Sequence, residues 1–424
     1  MDGQAALAVT VFLVVYAVIV LEAVHRTTIA LVGAVCLVLL GVVSQNEAIA
    51  AIDWNTLGLL IGMMTVVEIT RHTGLFEYIA IKAAQFGGGR PMPLMFWLSV
   101  MTALASALLD NVTTVLLVVP VTFALTEILK VSPFPFLMAE ILAANIGGTA
   151  TLVGDPPNIM IGSATGLSFM DFVVNLGPVV FLVQALTCLI FYYLYRRQMA
   201  VSEEDRAEIM EIDARTEIKN RKLLQKCLLV LGVTVLGFIA HGWLHLEPAT
   251  IALGGAALLL LISNLQPEQV LSPLEWQVIF FFLGLFIIVG ALEKTGMIRW
   301  VAEQALQVTG GNMVFTALLI IWLSALASAF VDNIPFVATM IPLIFAMGQI
   351  QPLQLEPLWW SLSLGACFGG NGTLIGASAN LVVAGLAARR GVSISFPQYF
   401  RLGFPLMLIS VIVSTAYVWL RFLN

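Results

Sequence analysis

The stretch NIGGTATLVGDPPNIMIG (145–162) decides how this chain folds, because glycine, proline and polar residues interrupt an otherwise apolar segment. A second stretch, FGGNGTLIGASANLVVAG (368–385), carries the same Gly-Gly pair 222 residues later. Two adjacent glycines break an apolar helix, and the freed backbone groups must then face protein, water or a ligand. The ends of the half-helices supply partial charges that attract an ion or a polar solute. We call these stretches the first and second break, and both predict a binding site near the middle of a membrane.

The two breaks belong to an internal repeat of the chain. Residues 54–158 align with 276–380 without a gap, and 31 of the 105 aligned pairs are identical. Many identities fall on Asp, Asn, Gly, Pro, Thr and Trp, which chance alignments of apolar sequences do not reproduce. The repeat divides the chain into membrane repeat 1–195, charged linker 196–226 and membrane repeat 227–424.

Composition places the chain in a lipid bilayer. It has 424 residues, of which 60% are apolar and 10% charged, and its mean hydropathy is +0.99. A typical soluble domain is about a quarter charged. Four scattered cysteines without a CxxC pair argue against a disulfide framework or a zinc site, and no GxxxxGK[ST] loop is present. We therefore expect no metal, no cofactor, no nucleic-acid partner and no enzyme activity, and we interpret the N-terminal apolar stretch as a retained helix.

Each repeat is expected to contain five membrane crossings, one of them broken, and one re-entrant hairpin. The plain spans expected before the hairpins are 5–24, 27–43 and 54–70 in the first repeat and 227–244, 248–263 and 276–292 in the second. Segments 92–128 and 313–349 are too short for two full spans and carry Asp-Asn near their middle, which favours hairpins. An odd number of crossings gives the repeats opposite orientation. The predicted fold class is an all-α polytopic membrane protein with two inverted repeats.

The distribution of basic residues predicts the orientation. With the linker in the cytoplasm, sixteen Lys and Arg residues, Arg26 among them, fall in inside loops and only Lys294, Arg299 and Arg421 fall outside. This split follows the positive-inside rule. It predicts a multi-pass protein of a bacterial inner membrane, with both termini outside and the linker cytoplasmic. The first hairpin would then enter from the cytoplasm and the second from the periplasm.

Carboxylates at membrane depth mark the predicted site. The hairpin tips read SALLDNVTTVLLVVP (106–120) and SAFVDNIPFVATMIP (328–342). Asp110, Asp155 and Asp332 are costly in a bilayer unless they are hydrated or functional. Close packing of small residues explains Gly162 but not these aspartates, although the GDPPN sequence alternatively caps a half-helix.

The predicted substrate- and ion-binding residues come from both tips and both breaks. They are Asp110, Asn111, Thr113, Thr114, Gly147, Gly148, Thr149, Thr151, Asp155, Asn158, Asp332, Asn333, Gly369, Gly370, Asn371, Thr373, Ser378 and Asn380. Candidates for proton coupling are Asp110, Asp332, Asp155 and Glu140. Glu140 alternatively reaches the cytoplasmic interface.

Four segments together resemble the ion transporter superfamily: DNVTTVLLVVPVT, NIGGTATLVGDPPN, VDNIPFVATMIP and GGNGTLIGASAN. The resemblance is to the arsenite efflux permeases and the pink-eyed-dilution (melanosomal P) proteins, and it covers essentially the whole chain. It implies an inverted-repeat carrier, often dimeric, in which a transport part moves against a scaffold like an elevator. Related dicarboxylate carriers have Ser-Asn-Thr at each tip, whereas this chain has Asp110 and Asp332. That difference favours a cation, a proton or a neutral hydroxylated solute over a dianion.

The resulting prediction is a proton-coupled secondary transporter that exports arsenite or antimonite across the inner membrane. A sodium/proton antiporter and a carrier of organic or inorganic anions are the alternatives. A further alternative is the membrane subunit of an ATP-driven metalloid pump, with a soluble ATPase on linker 196–226. The expected partners are a small inorganic solute, protons or sodium, membrane lipid and a second copy in a homodimer.

Overall fold

The fold is all-helical in a computed structural model that describes residues 3–21, 23–199 and 201–424. Within those ranges no β-strand occurs, and nine helices are long and apolar enough to cross a membrane. The all-α polytopic fold class is therefore confirmed. The expected first span includes residue 22, and the expected retained N-terminal helix includes residues 1 and 2, all of which lie outside the described residues.

Ten α-helices make up the described part of the first repeat. They are α1 (Gly3–Val20), α2 (Arg26–Leu39), α3 (Gln45–Ala50), α4 (Trp54–Arg71), α5 (Leu75–Phe86), α6 (Pro91–Leu108), α7 (Asn111–Ile128), α8 (Phe134–Gly148), α9 (Pro156–Thr165) and α10 (Phe169–Tyr195). Helices α6 and α7 form the first hairpin, and α8 and α9 flank the first break.

The linker holds one helix and a 3-10 turn, and ten helices follow. They are α11 (Glu203–Glu211), the turn Ala214–Glu217, α12 (Arg221–Leu244), α13 (Pro248–Ser263), α14 (Pro267–Leu271), α15 (Trp276–Lys294), α16 (Met297–Thr309), α17 (Met313–Phe330), α18 (Asn333–Ile350), α19 (Glu356–Gly369), α20 (Ser378–Arg389) and α21 (Phe396–Phe422). Helices α17 and α18 form the second hairpin, and α19 and α20 flank the second break.

The helices occur in the same order in both repeats, in step with the repeat of the sequence. Helices α13 to α20 each begin 222 residues after their counterparts α2 to α9. The repeat is thus also a repeat of local structure, since matching residues start matching helices. The inverted orientation of the two repeats and the boundaries of the linker stay predictions.

The helices before each hairpin pack against those of the other repeat. Helix α4 lies against α13, and α15 lies against α2. A Cβ at Gly62 would lie 2.6 Å from the Ala252 carbonyl carbon, and one at Gly284 would lie 2.6 Å from the corresponding carbon of Ala30. These glycines permit backbone approach of the kind that holds membrane helices together. We call α1–α4 with α12–α15 the framing group.

The remaining membrane helices, α5–α10 and α16–α21, form what we call the core group. Helix α6 packs along α8, and α17 along α19. Every residue of α8 after Phe134 is buried, as is every residue of α19 after Glu356. A Cβ at Gly147 would lie 2.1 Å from the Ala103 carbonyl oxygen, so only glycine allows this hairpin to reach the break.

The linker packs against loops of the first repeat. Lys130 Nζ lies 2.7 Å from Asp205 Oδ1, and this ion pair holds the pKa of Asp205 below its usual range. Gln85 Nε2 donates to the Ile212 carbonyl at 2.6 Å, and Lys219 N donates to the Thr73 carbonyl at 3.0 Å. Helix α5 and two loops of the first repeat therefore lie beside the linker.

Candidate functional site

The first hairpin tip is capped by its own residues. Asp110 precedes α7 and accepts a hydrogen bond from Thr113 N at 2.8 Å, while the Thr113 hydroxyl donates to its other carboxylate oxygen. This is an N-cap, which satisfies donors that a helix start leaves free. Asp110 and Asn111 are buried, so the tip ends inside the protein.

The second tip is built differently, although it also carries Asp-Asn. Asp332 Oδ1 accepts from Ile334 N at 3.1 Å, but position 335 is proline and has no N–H to donate. Asp332 Oδ2 instead accepts from Arg26 of α2 and from the Ser378 hydroxyl, the latter at 2.9 Å. The charge of Asp332 is therefore paired with a cation from the framing group.

The two breaks are held by matching asparagines. Asn158 Nδ2 donates to the carbonyls of Thr149 and Thr151 at 3.0 and 2.8 Å. Asn380 Nδ2 donates in a similar way to the carbonyls of Gly370 and Thr373 in the second break, at 2.8 and 2.9 Å. The asparagines thus satisfy carbonyl groups that the interrupted helices leave free, as burial requires.

Threonines tie each break to its hairpin. The Thr151 hydroxyl donates to the Ala107 carbonyl, and the Thr373 hydroxyl donates to the Ala329 carbonyl. Both carbonyls lie near the end of the first helix of a hairpin, α6 or α17. The hydroxyl protons of these threonines are therefore used to hold tip and break together.

An amide network joins the two repeats. Asn145 Nδ2 donates to the side-chain oxygens of Asn371 and Asn380 at 2.8 and 3.0 Å. Asn145 Oδ1 accepts from Asn111 Nδ2 at 3.0 Å. Asn145 therefore connects the first tip to the second break.

Asp155 lies where both tips meet. Asn111 Nδ2 lies 3.4 Å from Asp155 Oδ1, and Asn333 Nδ2 lies at the same distance from the same oxygen. The Asp155 side chain is fully buried. One carboxylate of the first break thus contacts an amide from each hairpin tip.

These groups surround a cavity of about 20 Å³. It is lined by Arg26, Leu60, Met64, Asp110, Asn111, Val112, Asp155, Pro156, Glu275, Val278, Asn333, Ile334 and Ser378. A larger cavity of about 490 Å³ shares Arg26, Glu275 and Ser378 with it and also reaches Asp332. The small cavity holds one water-sized occupant, and the larger one leads up to it.

The charges around the small cavity are mostly negative. Arg26 forms its ion pair with Asp332. Within the described part of the chain, Asp110, Asp155 and Glu275 form no ion pair. Buried carboxylates without cationic partners are costly unless they bind a proton or a cation. The site therefore suits a positive charge.

Five predicted residues line the small cavity: Asp110, Asn111, Asp155, Asn333 and Ser378. Asp332 lines the larger one. The other predicted residues line neither of these two cavities and instead build the tips and breaks: Thr113, Thr114, Gly147, Gly148, Thr149, Thr151, Asn158, Gly369, Gly370, Asn371, Thr373 and Asn380.

Glu140 lies apart from both cavities, within α8. The Thr122 hydroxyl donates to one of its oxygens, and the other has no hydrogen-bond partner. The side chain is fully buried in the protein, so the alternative of a residue reaching the cytoplasmic interface is wrong. Glu140 stays a candidate for proton binding at a separate place.

Sequence reasoning missed Arg26 and Glu275. The span count placed both in loops on the cytoplasmic side, whereas both line the small cavity. Arg26 is the first residue of α2, which has 14 residues and is about 21 Å long, too short for both of its ends to reach the surfaces of a hydrocarbon core of about 30 Å. A signal for Glu275 existed, because an acidic residue precedes the repeated tryptophan in both halves, at Asp53 and Glu275.

The fold and the site define a multi-pass membrane transporter. Residues 16–365 match the CitMHS family, described as citrate transporter, and the chain belongs to this family. This membership confirms the resemblance to the ion transporter superfamily.

Two relatives that match nearly the whole of this chain extend that assignment. The chain is 45% identical over 422 residues to an uncharacterized transporter of Mycobacterium tuberculosis, covering 98% of each protein. It is 36% identical to the P protein of Mus musculus, covering 98% of this chain and 60% of that protein. The resemblance to the P-protein branch is thereby confirmed.

Two solved structures share the fold at low identity. The YdaH transporter of Alcanivorax borkumensis has a TM-score of 0.62 at 17% identity, covering 88% of this chain and 87% of that one. MtrF of Neisseria gonorrhoeae, described as illuminating a class of antimetabolite efflux pumps, has a TM-score of 0.59 at 11% identity, covering 89% and 82%. These structural similarities support the assignment of the fold, but they do not indicate a particular substrate.

Proposed function

We propose that this transporter is a proton-coupled secondary carrier that exports arsenite or antimonite across a bacterial inner membrane. One observation carries the proposal: both hairpin tips and the first break converge on Asp155 at a small cavity. Carboxylates that share a buried site cannot all ionise cheaply, so the binding of protons and the binding of a solute at that site are coupled.

The substrate class follows from the charge of the site. Three carboxylates without ion-pair partners repel a dianion and accept protons, cations or the hydroxyl groups of a neutral solute. Arsenite and antimonite at neutral pH are mostly uncharged trihydroxides, which hydrogen-bond to carboxylate and amide groups. The larger cavity of about 490 Å³ gives such a solute room to approach.

Movement between the two helix groups would give alternating access. Polar side chains cross the boundary at few places: Asp53 Oδ1 accepts from Ser163 Oγ at 2.8 Å, and the Tyr16 hydroxyl lies 2.9 Å from Thr339 Oγ1. The Arg26–Asp332 ion pair also crosses it. These contacts support a transport part, the core group, that slides against the framing group as an elevator does.

Sodium/proton antiport is the second candidate, favoured by the size of the small cavity. A volume of about 20 Å³ fits a dehydrated cation better than a trihydroxide. Citrate transport, which the family description suggests, would bring a polyanion against three carboxylates, so we place it third.

Flux in proteoliposomes tests the proposal. The purified protein is reconstituted and given arsenite, sodium or citrate separately under an imposed pH gradient, with protein-free liposomes and collapsed gradients as controls. Arsenite flux that follows the gradient supports the proposal. Sodium flux alone would replace it with the second candidate, and gradient-driven citrate flux would overturn the charge argument.

The proposed orientation puts linker 196–226 in the cytoplasm, since it packs beside α5 and two loops of the first repeat that the positive-inside rule assigns to the same side. Cysteines introduced in the linker should be shielded from impermeant thiol reagents in intact cells, while one after Arg421 should be labelled. The reverse labelling pattern would refute this orientation. The linker's contacts with the membrane part favour a structural role for the linker over docking of an ATPase. A homodimer, which the family resemblance implies, stays a proposal.

A further inference from the structure

We infer that the two hairpin tips have different roles, and that Arg26 sets the difference as a built-in counter-cation for Asp332. Asp110 is then the tip carboxylate that binds the exchanged proton or cation. This inference rests on the proposed function, because it assigns parts of the same site. It makes Arg26 a specificity-determining residue that the sequence repeat conceals.

The Asp332 carboxylate is saturated by donors. One oxygen accepts from Ile334 N at 3.1 Å, and the other accepts from Arg26 and Ser378. Arg26 Nη1 also donates to Ser378 Oγ at 2.6 Å, which closes a triangle of three side chains. A guanidinium and two neutral donors therefore all face the negative charge of this carboxylate.

Arg26 is held in place by its surroundings. It is the first residue of α2, and its guanidinium carbon lies 5.3 Å from the centre of the Phe281 ring. The start of a helix already carries a partial positive charge, so an arginine there needs an anion nearby. Its side chain is only 24% exposed, and Asp332 supplies that anion.

Asp110 has only its own helix as a partner. Both of its oxygens are bonded to Thr113. The residue that matches Arg26 at the 222-residue offset is Pro248, which begins α13 and carries no charge. The charged groups that line the cavity with Asp110 are Asp155, Glu275 and Arg26, and Arg26 is engaged by Asp332. Among the described residues Asp110 therefore has no cationic partner of its own, and an incoming proton or cation can supply one.

The ion pair also joins the two helix groups. Arg26 belongs to the framing group, whereas Asp332 and Ser378 belong to the core group. A sliding movement of one helix group against the other must break this ion pair. A cation that binds elsewhere in the site leaves the ion pair intact. Arg26 therefore holds the two helix groups together while Asp110 binds the exchanged ion.

A double-substitution test in proteoliposomes separates the tips. Arg26→Gln and Asp332→Asn should each lower pH-driven arsenite flux at least tenfold, because each leaves one buried charge unpaired. The Arg26→Gln/Asp332→Asn double variant should recover to within about threefold of the unsubstituted protein, with an unchanged pH profile. Asp110→Asn should lose pH-driven flux, and Arg26→Gln should not rescue it. Lys294→Gln, which breaks an exposed ion pair with Glu47, is the matched control and should keep full flux.

A second measurement needs no metalloid and so separates this inference from the proposed substrate. The unfolding temperature in detergent is followed against pH and sodium concentration. The unfolding temperature of the unsubstituted protein should depend on pH, on sodium concentration or on both. This dependence should vanish in Asp110→Asn and persist in the Arg26→Gln/Asp332→Asn double variant. Additive losses from Arg26→Gln and Asp332→Asn, or an unchanged profile in Asp110→Asn, would overturn the inference. An absence of arsenite flux in the unsubstituted protein would refute the proposed substrate alone.

Discussion

The two breaks share a backbone design but differ in charge. The first break begins α9 with Asp155 followed by two prolines, whereas the matching residues of the second break are Ala377, Ser378 and Ala379. Asn158 and Asn380 hold both breaks through similar carbonyl contacts. The residues that build each break are therefore the same or similar in the two repeats, whereas the charged residues differ. The two breaks thus share a backbone framework, but the charges of the site that they form are asymmetric.

The largest expected effect is at the charged break. Asp155→Asn keeps the size of the side chain and one acceptor oxygen but removes the charge that both tip asparagines face. We expect at least a hundredfold loss of gradient-driven flux in proteoliposomes with little loss of folded protein. Asp171→Asn, at the N3 position of the capping box of α10, is the control, since the amide oxygen of asparagine still accepts the hydrogen bond from Ser168 N. Normal flux in Asp155→Asn would show that the two breaks do not differ in function.

A smaller difference is expected at the Gly-Gly pairs. A Cβ at Gly148 would lie 2.5 Å from the Gly154 carbonyl oxygen, whereas one at Gly370 would lie 3.1 Å from Ala377 Cβ. Gly148→Ala should therefore lower the free energy of unfolding by about 1–3 kcal/mol and Gly370→Ala by less, as overpacking predicts. Unfolding temperatures in detergent measure this, and equal losses would mean that the two breaks are equally tight. The larger Gly148→Leu is expected to impair folding as well as transport.

The residues that precede the glycines offer a third contrast. Asn145 hydrogen-bonds to three amide side chains, while its counterpart Cys367 makes a weak contact of 3.8 Å with Asn158. Asn145→Ala leaves buried polar partners unsatisfied and should cost about 1–3 kcal/mol for each of them, against about 1 kcal/mol for Cys367→Ala. Thermal unfolding of both variants tests the difference. A more damaging Cys367→Ala would place the thiol in the site.

The smallest effect is expected at the exposed ion pair Glu47–Lys294, which also joins the two repeats. Lys294 lowers the pKa of Glu47 from 4.5 to about 2, so this carboxylate stabilises the fold above its unfolded pKa. The contribution is fully present from pH 6 to 8 and is lost as the pH falls from 4.5 toward 2. Lys294→Gln should leave the unfolding temperature nearly unchanged, since exposed pairs contribute little. A clear change at pH 7 would contradict this account.

Several features of the site were readable in the sequence because they depend on local chemistry. Gly-Gly in an apolar span and Asp-Asn at a hairpin tip identify the breaks and tips by residue type and spacing alone. Sequence reasoning could not separate the residues that line the cavity from those that build it. Asn158 and Thr151 look like ligands in a sequence, yet their donor groups satisfy backbone carbonyls.

The sequence by itself determined the lipid-solvated composition, the repeat and the identity of the polar residues in the breaks, because hydropathy and residue spacing are local properties. Only the tertiary structure decided which charges meet. Arg26 and Asp332 are 306 residues apart and pair because α2 begins beside the second tip, a fact of helix length and packing that no local pattern contains. Proline at 335 frees one oxygen of Asp332, and the fold supplies the cation that binds it.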